Sequence, residues 1–181
     1  MTTGRSASPF LIRRLKAADA KPYRNLRLLG LRDCPEAFGA SHEDEASKPP
    51  RWFADRLEKN IVLGGWNSDA TLAGIAGLHI PQVGKSSHKA SLWGMFVLPE
   101  ARRSGLATAL LAQLTKESAA AVEEIRLAVV TANAAAVRFY EKAGFTAYGM
   151  ERRALKIDGK YYDELLMSLS LRGPNEHRRS G

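Results

Sequence analysis

Hydrophobic residues along the chain follow two spacings, and each spacing predicts one kind of element. Leucines that recur every three or four residues predict helices, whereas short β-branched or alternating apolar runs predict strands. The predicted helices cover residues 19–32, a short segment that starts at Pro50, and residues 104–121 and 133–143. The predicted strands cover residues 10–12, a segment that starts at Ile61, and residues 72–80, 90–98, 125–130, 145–150 and 162–171.

The order of these elements predicts one domain. A strand and two helices precede an antiparallel meander of three strands, and a helix, a strand, a helix and two strands follow it. Residues 36–50 are polar and are predicted to form a mobile loop. No internal repeat interrupts the pattern, so we predict a single domain over residues 1–173 and a basic, flexible tail over residues 174–181.

Composition narrows the class of protein. The 181 residues are 45% hydrophobic and 25% charged, as in ordinary soluble proteins. No apolar run approaches the roughly 18 residues of a membrane span, and residues 1–8 lack the apolar centre of a signal peptide. The single cysteine, Cys34, rules out an internal disulfide and is typical of a reducing compartment. We therefore expect a cytoplasmic protein without a membrane partner.

The formal net charge of +8 has two interpretations. A basic protein can bind nucleic acid, or it can attract a small anionic ligand. Part of the excess lies in the tail, at His177, Arg178 and Arg179. No Lys/Arg-rich run is interleaved with aromatic residues, as a groove for single-stranded nucleic acid would require. We therefore predict an anionic ligand and no nucleic-acid partner.

The junction between the strand that ends near Val97 and the next helix is the most informative stretch. Pro99 ends the strand, and the helix N-terminus that follows offers free N–H groups and a partial positive charge, which suit a phosphate. Gly105 lets the backbone approach a ligand, and Arg102 and Arg103 add charge-assisted contacts. The alternative is a plain turn with two solvated arginines, because such short motifs are weak alone.

This junction resembles the acetyl-CoA signature of the GNAT N-acetyltransferase family, Arg/Gln-x-x-Gly-x-Gly/Ala, with Ala107 at the last position. The resemblance implies an α/β (α+β) fold, with a mixed, mostly antiparallel sheet of about seven strands flanked by about four helices. It implies that the loop wraps the pyrophosphate of acetyl-CoA and that the preceding strand binds the pantetheine arm through its backbone. The implied binding residues are Met95, Phe96, Val97, Arg102, Arg103, Ser104, Gly105, Leu106, Ala107 and Thr108.

A second motif lies in the helix over residues 133–143. Asn133 can cap this helix and Gly144 can end it, while Asn133 and Tyr140 are seven residues apart and share a face. Alone, the pair is explained by a cap and a half-buried aromatic residue. The segment is also similar to the family pattern Asn-x-x-Ala…Tyr-Glu-x-x-Gly-Phe. That resemblance implies that Asn133 contacts the CoA arm and that Tyr140 is the general acid beside the sulfur.

The implied reaction is direct attack of an amine on the thioester of acetyl-CoA, with no metal and no covalent intermediate, so Cys34 is interpreted as packing. The alternative is a CoA-binding sensor or regulator without turnover. An antibiotic, a polyamine, an amino acid and a protein amine all stay open as the acceptor.

The general base also stays open. In family members that acetylate ribosomal-protein N-termini, a glutamate lies five residues before the asparagine, where this chain has Ala128. The remaining candidates are a water chain and the following residues: His88, Glu43, Asp44 and Glu45 in the predicted loop, and Tyr161, Tyr162, Asp163 and Glu164.

The family resemblance further implies a homodimer formed through the C-terminal strands. The last predicted strand is apolar and is expected to serve as an exposed edge, with Leu165, Leu166, Met167, Leu169 and Leu171.

Overall fold

A computed structural model describes residues 10–82 and 84–172. The chain forms a seven-stranded mixed sheet with the strand order β1-β2-β3-β4-β5-β7-β6. The strands are β1 (Leu11–Arg14), β2 (Ile61–Trp66), β3 (Leu72–His79), β4 (Lys89–Val97), β5 (Glu124–Val130), β6 (Thr146–Ile157) and β7 (Lys160–Ser170). The α-helices are α1 (Ala20–Asp33), α2 (His42–Ala46), α3 (Pro50–Lys59), α4 (Leu106–Ser118) and α5 (Ala134–Lys142). This architecture confirms the expected α+β fold.

Two apolar clusters cover the two faces of the sheet. Helices α4 and α5 contribute to one cluster, in which Leu106, Leu110 and Leu114 of α4 are almost completely buried. Helices α1 and α3 contribute to the other cluster, in which Tyr23 and Phe53 are fully buried. The sheet is therefore the middle of three layers, and any opening within it gives access to both sides.

The sheet opens between β4 and β5, its one parallel pair within the described residues. Pairing is confined to residues 89–91 of β4 and 124–126 of β5. Beyond it, Gly94 has a φ of +65°, and the register between β3 and β4 shifts over the same residues. This β-bulge bends β4 away from its neighbour. The carboxyl halves of β4 and β5 therefore diverge and leave an opening in the sheet.

The segment predicted as a mobile loop contains structure, so that prediction is wrong. A 3₁₀ turn covers Pro35–Ala37, and helix α2 follows it. The Ser41 side chain caps α2 by accepting a hydrogen bond from the Asp44 N–H at 3.1 Å. Glu45 in α2 is only 4% exposed and binds Arg27 of α1 and Arg56 of α3. This buried carboxylate anchors the segment to α1 and α3, although the polar composition of the segment alone predicts that it lies in solvent.

The last strand is not an edge, and that prediction is wrong as well. Strand β7 lies between β5 and β6, and β6 forms the edge. The cause is a long hairpin: Ile157 pairs with Lys160 across a tight turn at Asp158 and Gly159, both of which have positive φ. Strand β6 therefore extends well beyond the predicted end at residue 150.

The start of α4 also differs from its prediction. Helix α4 begins at Leu106 rather than at residue 104, because Gly105 before it is left-handed.

Among the residues that the structure describes, no helix is long and apolar enough to cross a membrane. The tail over residues 174–181 lies outside the described residues, so the domain division and the cytoplasmic location stay predictions.

Replacing Glu45 with Gln should destabilise the protein strongly. Removing one partner of a buried ion pair costs about 3–5 kcal/mol, because the remaining charges lose their compensation. Denaturant unfolding at neutral pH measures this loss. Glu43→Gln on the same helix is the matched control, because the Glu43 side chain is 85% exposed. Equal stability of the two variants would contradict the structural role of Glu45.

The stability that Glu45→Gln loses should also depend on pH. Burial acts to raise the pKa of Glu45, but the hydrogen bonds and charges of Arg27 and Arg56 outweigh burial and hold that pKa below its ordinary value. The stabilisation is therefore complete above the unfolded pKa of about 4.3 and disappears as the pH falls through the folded value. The free-energy difference between wild type and Glu45→Gln should shrink on acidification.

Candidate active site

The opening between β4 and β5 holds two adjoining clefts. We call the cleft of about 330 Å³ beside Arg102 and α5 the loop cleft, and the cleft of about 370 Å³ beside Arg27 and Arg56 the arginine cleft. They meet at a shared wall, to which both sides of the opening contribute. The shared residues are Ala37, Phe38, Met95, Ala128, Tyr140 and Glu164.

The segment between β4 and α4 makes a tight turn around the helix N-terminus. Gly105 has a φ of +87°, which a glycine adopts without strain, and Arg103 has a φ of +62°. A positive φ is uncommon for arginine and is typical of strained functional loops. The Ala109 N–H donates to the Gly105 carbonyl at 3.0 Å, so the amides before it precede the regular hydrogen bonds of the helix. The Leu106 N–H donates to the Ser104 hydroxyl oxygen at 3.3 Å, and the other amides can bind an anion.

Arg102 connects this turn to the end of β4. Its Nε donates to the Val97 carbonyl at 3.2 Å, and its guanidinium lies 6.0 Å from the centre of the Phe96 ring. Both contacts hold a positive charge at the mouth of the loop cleft. Ser104 contacts the preceding turn instead, and its hydroxyl donates to the Ala101 carbonyl at 2.6 Å.

Helix α5 has the ends that its sequence predicts. The side-chain oxygen of Asn133 accepts a hydrogen bond from the Ala136 N–H at 3.1 Å, and Gly144 has a φ of +94°. The cap holds Asn133 at the rim of the loop cleft, which its side chain also lines. Tyr140 lies on the same side of the helix and reaches the shared wall.

The Tyr140 ring is held by aromatic neighbours and is 8% exposed. Edge-on contacts join it to Phe139 and Phe145, with ring centres 5.1 Å and 5.6 Å away. Burial raises the pKa of Tyr140 to about 12, because a phenolate in this apolar site loses its hydration. The hydroxyl therefore stays protonated at any physiological pH.

The arginine cleft has a different character. Arg27 binds both carboxylate oxygens of Glu45, through Nε at 3.0 Å and Nη2 at 2.8 Å. Arg56 donates to the same carboxylate at 2.8 Å and lies 4.4 Å from the centre of the Trp93 ring. Two guanidinium groups therefore share one buried carboxylate, and one positive charge is left over behind the cleft wall.

Glu164 brings a carboxylate to the shared wall from the opposite side. It lies on β7, between Val130 of β5 and Glu151 of β6. Burial raises the pKa of Glu164, and the negative charge of Glu151 raises it further. A carboxylate with a raised pKa is a stronger proton acceptor than an exposed one, so this position suits a general base.

The structure brings together many of the predicted site residues but not all of them. Those that line the loop cleft are Met95, Phe96, Val97, Arg102, Ala107, Asn133 and Tyr140. Arg103, Ser104 and Gly105 form the exposed turn beside it. The Leu106 side chain instead packs in the core at 1% exposure, and Thr108 lines a separate groove between α4 and α5.

Several proton-acceptor candidates lie elsewhere. His88 comes before β4 at the closed end of the opening, where its carbonyl accepts from the Glu123 N–H at 2.7 Å. Glu45 is committed to its two arginines. Glu43 lines a cleft beside the end of β6. Among the described residues no three His, Cys, Asp or Glu side chains form a group that could hold a metal ion.

Comparison with known proteins decides the family. The model of the acetyltransferase (GNAT) family matches residues 26–145, which is more than half of the chain. The chain belongs to the GNAT acetyltransferase family. A search of curated proteins finds no significant match.

Solved structures agree with a GNAT fold. A GNAT acetyltransferase from Streptococcus pneumoniae superposes with a TM-score of 0.76 at 24% identity, over 89% of this chain and 98% of its own. The yncA protein from Salmonella typhimurium, solved with its cofactor acetyl-CoA, gives 0.74 at 18% identity over 91% and 95%. The ribosomal-protein-S18-alanine N-acetyltransferase from Escherichia coli gives 0.69 at 22% identity over 92% and 97%. At these identities the likeness concerns the fold.

The arginine cleft of this GNAT chain is absent from the sequence-based predictions. Arg27 lies four residues from Tyr23 and from Leu31, and all three are at most 3% exposed. A charged residue at the centre of an apolar helical stripe was the available signal, because such a position requires a buried partner. The partner itself, Glu45, lay in a segment predicted as a loop.

Proposed function

We propose that the protein transfers the acetyl group of acetyl-CoA to a primary amine by direct attack. One observation carries the proposal: the two clefts meet at Tyr140, Met95 and Glu164. The loop cleft has the features of an acetyl-CoA site, and the arginine cleft offers separate access for a second substrate. Two substrates that entered from the two sides would meet where a proton donor and a proton acceptor face the same space.

The loop cleft suits the chemical groups of acetyl-CoA. The amides of the turn at residues 103–105, together with Arg102, would hold the pyrophosphate. A Cβ built on Gly105 would meet no atom within 4 Å, so the surface above this residue is open to a ligand. The diverging edge of β4 at Met95 would bind the pantetheine amides, and Asn133 lies on the opposite side of the same cleft.

The remaining steps concern protons. A primary amine attacks only in its neutral form, so Glu164 accepts a proton from the acceptor nitrogen. The nitrogen then bonds to the thioester carbon, whose oxygen gains negative charge near the β4 amides. The C–S bond breaks, the electron pair stays on sulfur, and Tyr140 donates its proton to that thiolate. The extra proton on the nitrogen of the new amide then restores the Tyr140 hydroxyl, and Glu164 releases its proton to water. Release of free thiol, followed with a panel of amines, tests the transfer and separates it from a CoA sensor without turnover.

Gly105→Asp should abolish CoA binding while the protein stays folded. The substitution places a negative charge beside the pyrophosphate and forces a side chain into a left-handed backbone that costs roughly 1–2 kcal/mol. Gly105→Ala carries the same strain without the charge and is the matched control. Calorimetry should show a loss of about a hundredfold or more for Asp and about tenfold or less for Ala. Wild-type CoA affinity in Gly105→Asp would refute the loop assignment.

Tyr140→Phe should lower the rate of transfer about a hundredfold, which is typical of a lost general acid. The ring and its contacts with Phe139 and Phe145 stay, so the dissociation constant of acetyl-CoA should barely change. Single-turnover measurement avoids masking by product release. Tyr148→Phe is the control, because that ring is 50% exposed on β6. If Tyr140→Phe keeps the wild-type single-turnover rate between about pH 6 and pH 9, another group is the acid.

We further propose that the protein pairs as a homodimer through the β6 edge of the sheet. Tyr148 and Met150 are exposed there by 50% and 54%, and an uncovered edge strand offers free backbone groups to a second copy. Light scattering at micromolar concentration should give twice the mass of one chain. Met150→Arg should shift the protein toward the monomer, whereas Leu11→Arg, at the opposite edge and 64% exposed, should not. A wild-type monomer would contradict the proposal.

A further inference from the structure

The arginine cleft contains a polar group whose partner is missing. The Nη1 atom of Arg27 is buried and has no hydrogen-bond partner among the described residues, although Nε and Nη2 of the same guanidinium bind Glu45. A Cβ built on Gly94 would lie 3.4 Å from Nη1. Since Gly94 and Arg27 both line the cleft, this N–H lies directly behind its surface. Buried donors without partners are rare and point to a missing acceptor.

The charges around this position are also unbalanced. Arg27 and Arg56 share the single carboxylate of Glu45, and the Arg56 side chain is 22% exposed where it lines the cleft. Arg24, the next cation on α1, is directed elsewhere and donates to the Ala46 carbonyl at 3.2 Å. The excess positive charge of the cluster therefore faces the cleft, where a bound anion would compensate it.

The cleft also carries a negative charge. Glu164 lines it from β7, beside Tyr140. An amine attracted to this carboxylate would lie at the shared wall, next to the proposed thioester. The rest of the lining is mostly apolar, with Phe38, Leu92, Trp93 and Leu127. The cleft volume of about 370 Å³ is at the small end of the roughly 300–1,000 Å³ range of small-molecule sites.

We propose that the acceptor is a small amino acid-like molecule, with its amine at Glu164 and its carboxylate at the Arg27–Arg56 cluster. This inference rests on the proposed transfer reaction and names the substrate class of the same site. The apolar lining holds the side chain of the acceptor, so amino acids with aromatic or branched side chains fit best. Arg56 contacts the carboxylate of the acceptor at the cleft surface. The positive charge of Arg27, which lies just behind that surface, stabilises the same carboxylate.

The first test measures binding without turnover. L-Phenylalanine and phenethylamine differ only in the carboxylate, and each is titrated by calorimetry into the protein saturated with CoA. The amino acid should bind at least about tenfold more tightly, since a hydrogen bond to a charged group contributes that much. L-Leucine and isopentylamine repeat the comparison. Equal binding within both pairs, or no binding of either amino acid, overturns the proposal.

Variants then locate the carboxylate. Arg56→Gln should remove the preference for the amino acid, whereas Arg56→Lys should restore part of it through its charge. Arg51→Gln on the same helix is the control, because the Arg51 side chain is 89% exposed. Unchanged CoA affinity shows that each variant is folded. A preference that survives in Arg56→Gln contradicts the assignment, and tighter binding of L-phenylalaninamide than of L-phenylalanine would favour a peptide amine instead.

Thiol release separates this inference from the proposed function. If phenethylamine is acetylated with the same kcat/KM as L-phenylalanine, the carboxylate site is refuted and acetyl transfer stands. If L-phenylalanine binds with the expected preference but no amine of the panel releases thiol from acetyl-CoA, transfer is refuted and the carboxylate site stands.

Discussion

The divergence of β4 and β5 is the feature on which the rest of the site depends. Two parallel strands that stayed paired would close the middle of the sheet, and neither cleft would exist. The bulge at Gly94 ends the pairing after residue 91 of β4 and leaves the edges of both strands free in the centre of the fold. Because helices pack on both faces of the sheet, this gap is flanked by helices on both sides. An internal opening with free backbone amides is what binding an extended, amide-rich cofactor arm requires.

Much of the fold was predictable from local pattern. The leucine spacing of α4, the cap and terminal glycine of α5 and the Asp158–Gly159 turn are all local signals, and each element lies where its signal places it. Most of the loop cleft was predictable for the same reason, because the lining residues that the sequence predicts belong to two continuous segments of the chain. A resemblance to a family assigns roles to those segments, and the family match confirms the family.

The arginine cleft was not predictable in this way, because its parts come from distant segments. Arg27, Glu45, Arg56 and Glu164 lie on α1, α2, α3 and β7. Nothing in the sequence near Glu45 indicates a buried pair, since its neighbours Glu43 and Asp44 are also acidic. The order of β6 and β7 in the sheet is likewise a long-range property, and a strand that looks apolar in sequence proved to be interior. Such features depend on tertiary contacts that periodicity does not encode.

The high pKa of Tyr140 is compatible with its proposed role as general acid once the pKa of the thiolate is also considered inside the cleft. A donor with a pKa of about 12 is poorly matched to a thiolate whose pKa in water is about 8.5. The comparison changes inside the cleft, because the same loss of hydration that raises the pKa of Tyr140 also raises that of a thiolate expelled beside it. Both pKa values rise inside the cleft. The difference between them is therefore closer to the difference between the two groups in water, which is about 1.5. The pKa of Glu164 is raised as well, by burial and further by the negative charge of Glu151, and this makes Glu164 a better base. One wall thus holds a phenol that is protonated before the reaction and a carboxylate that can accept a proton, as the proposed transfer from an ammonium to a thiolate requires.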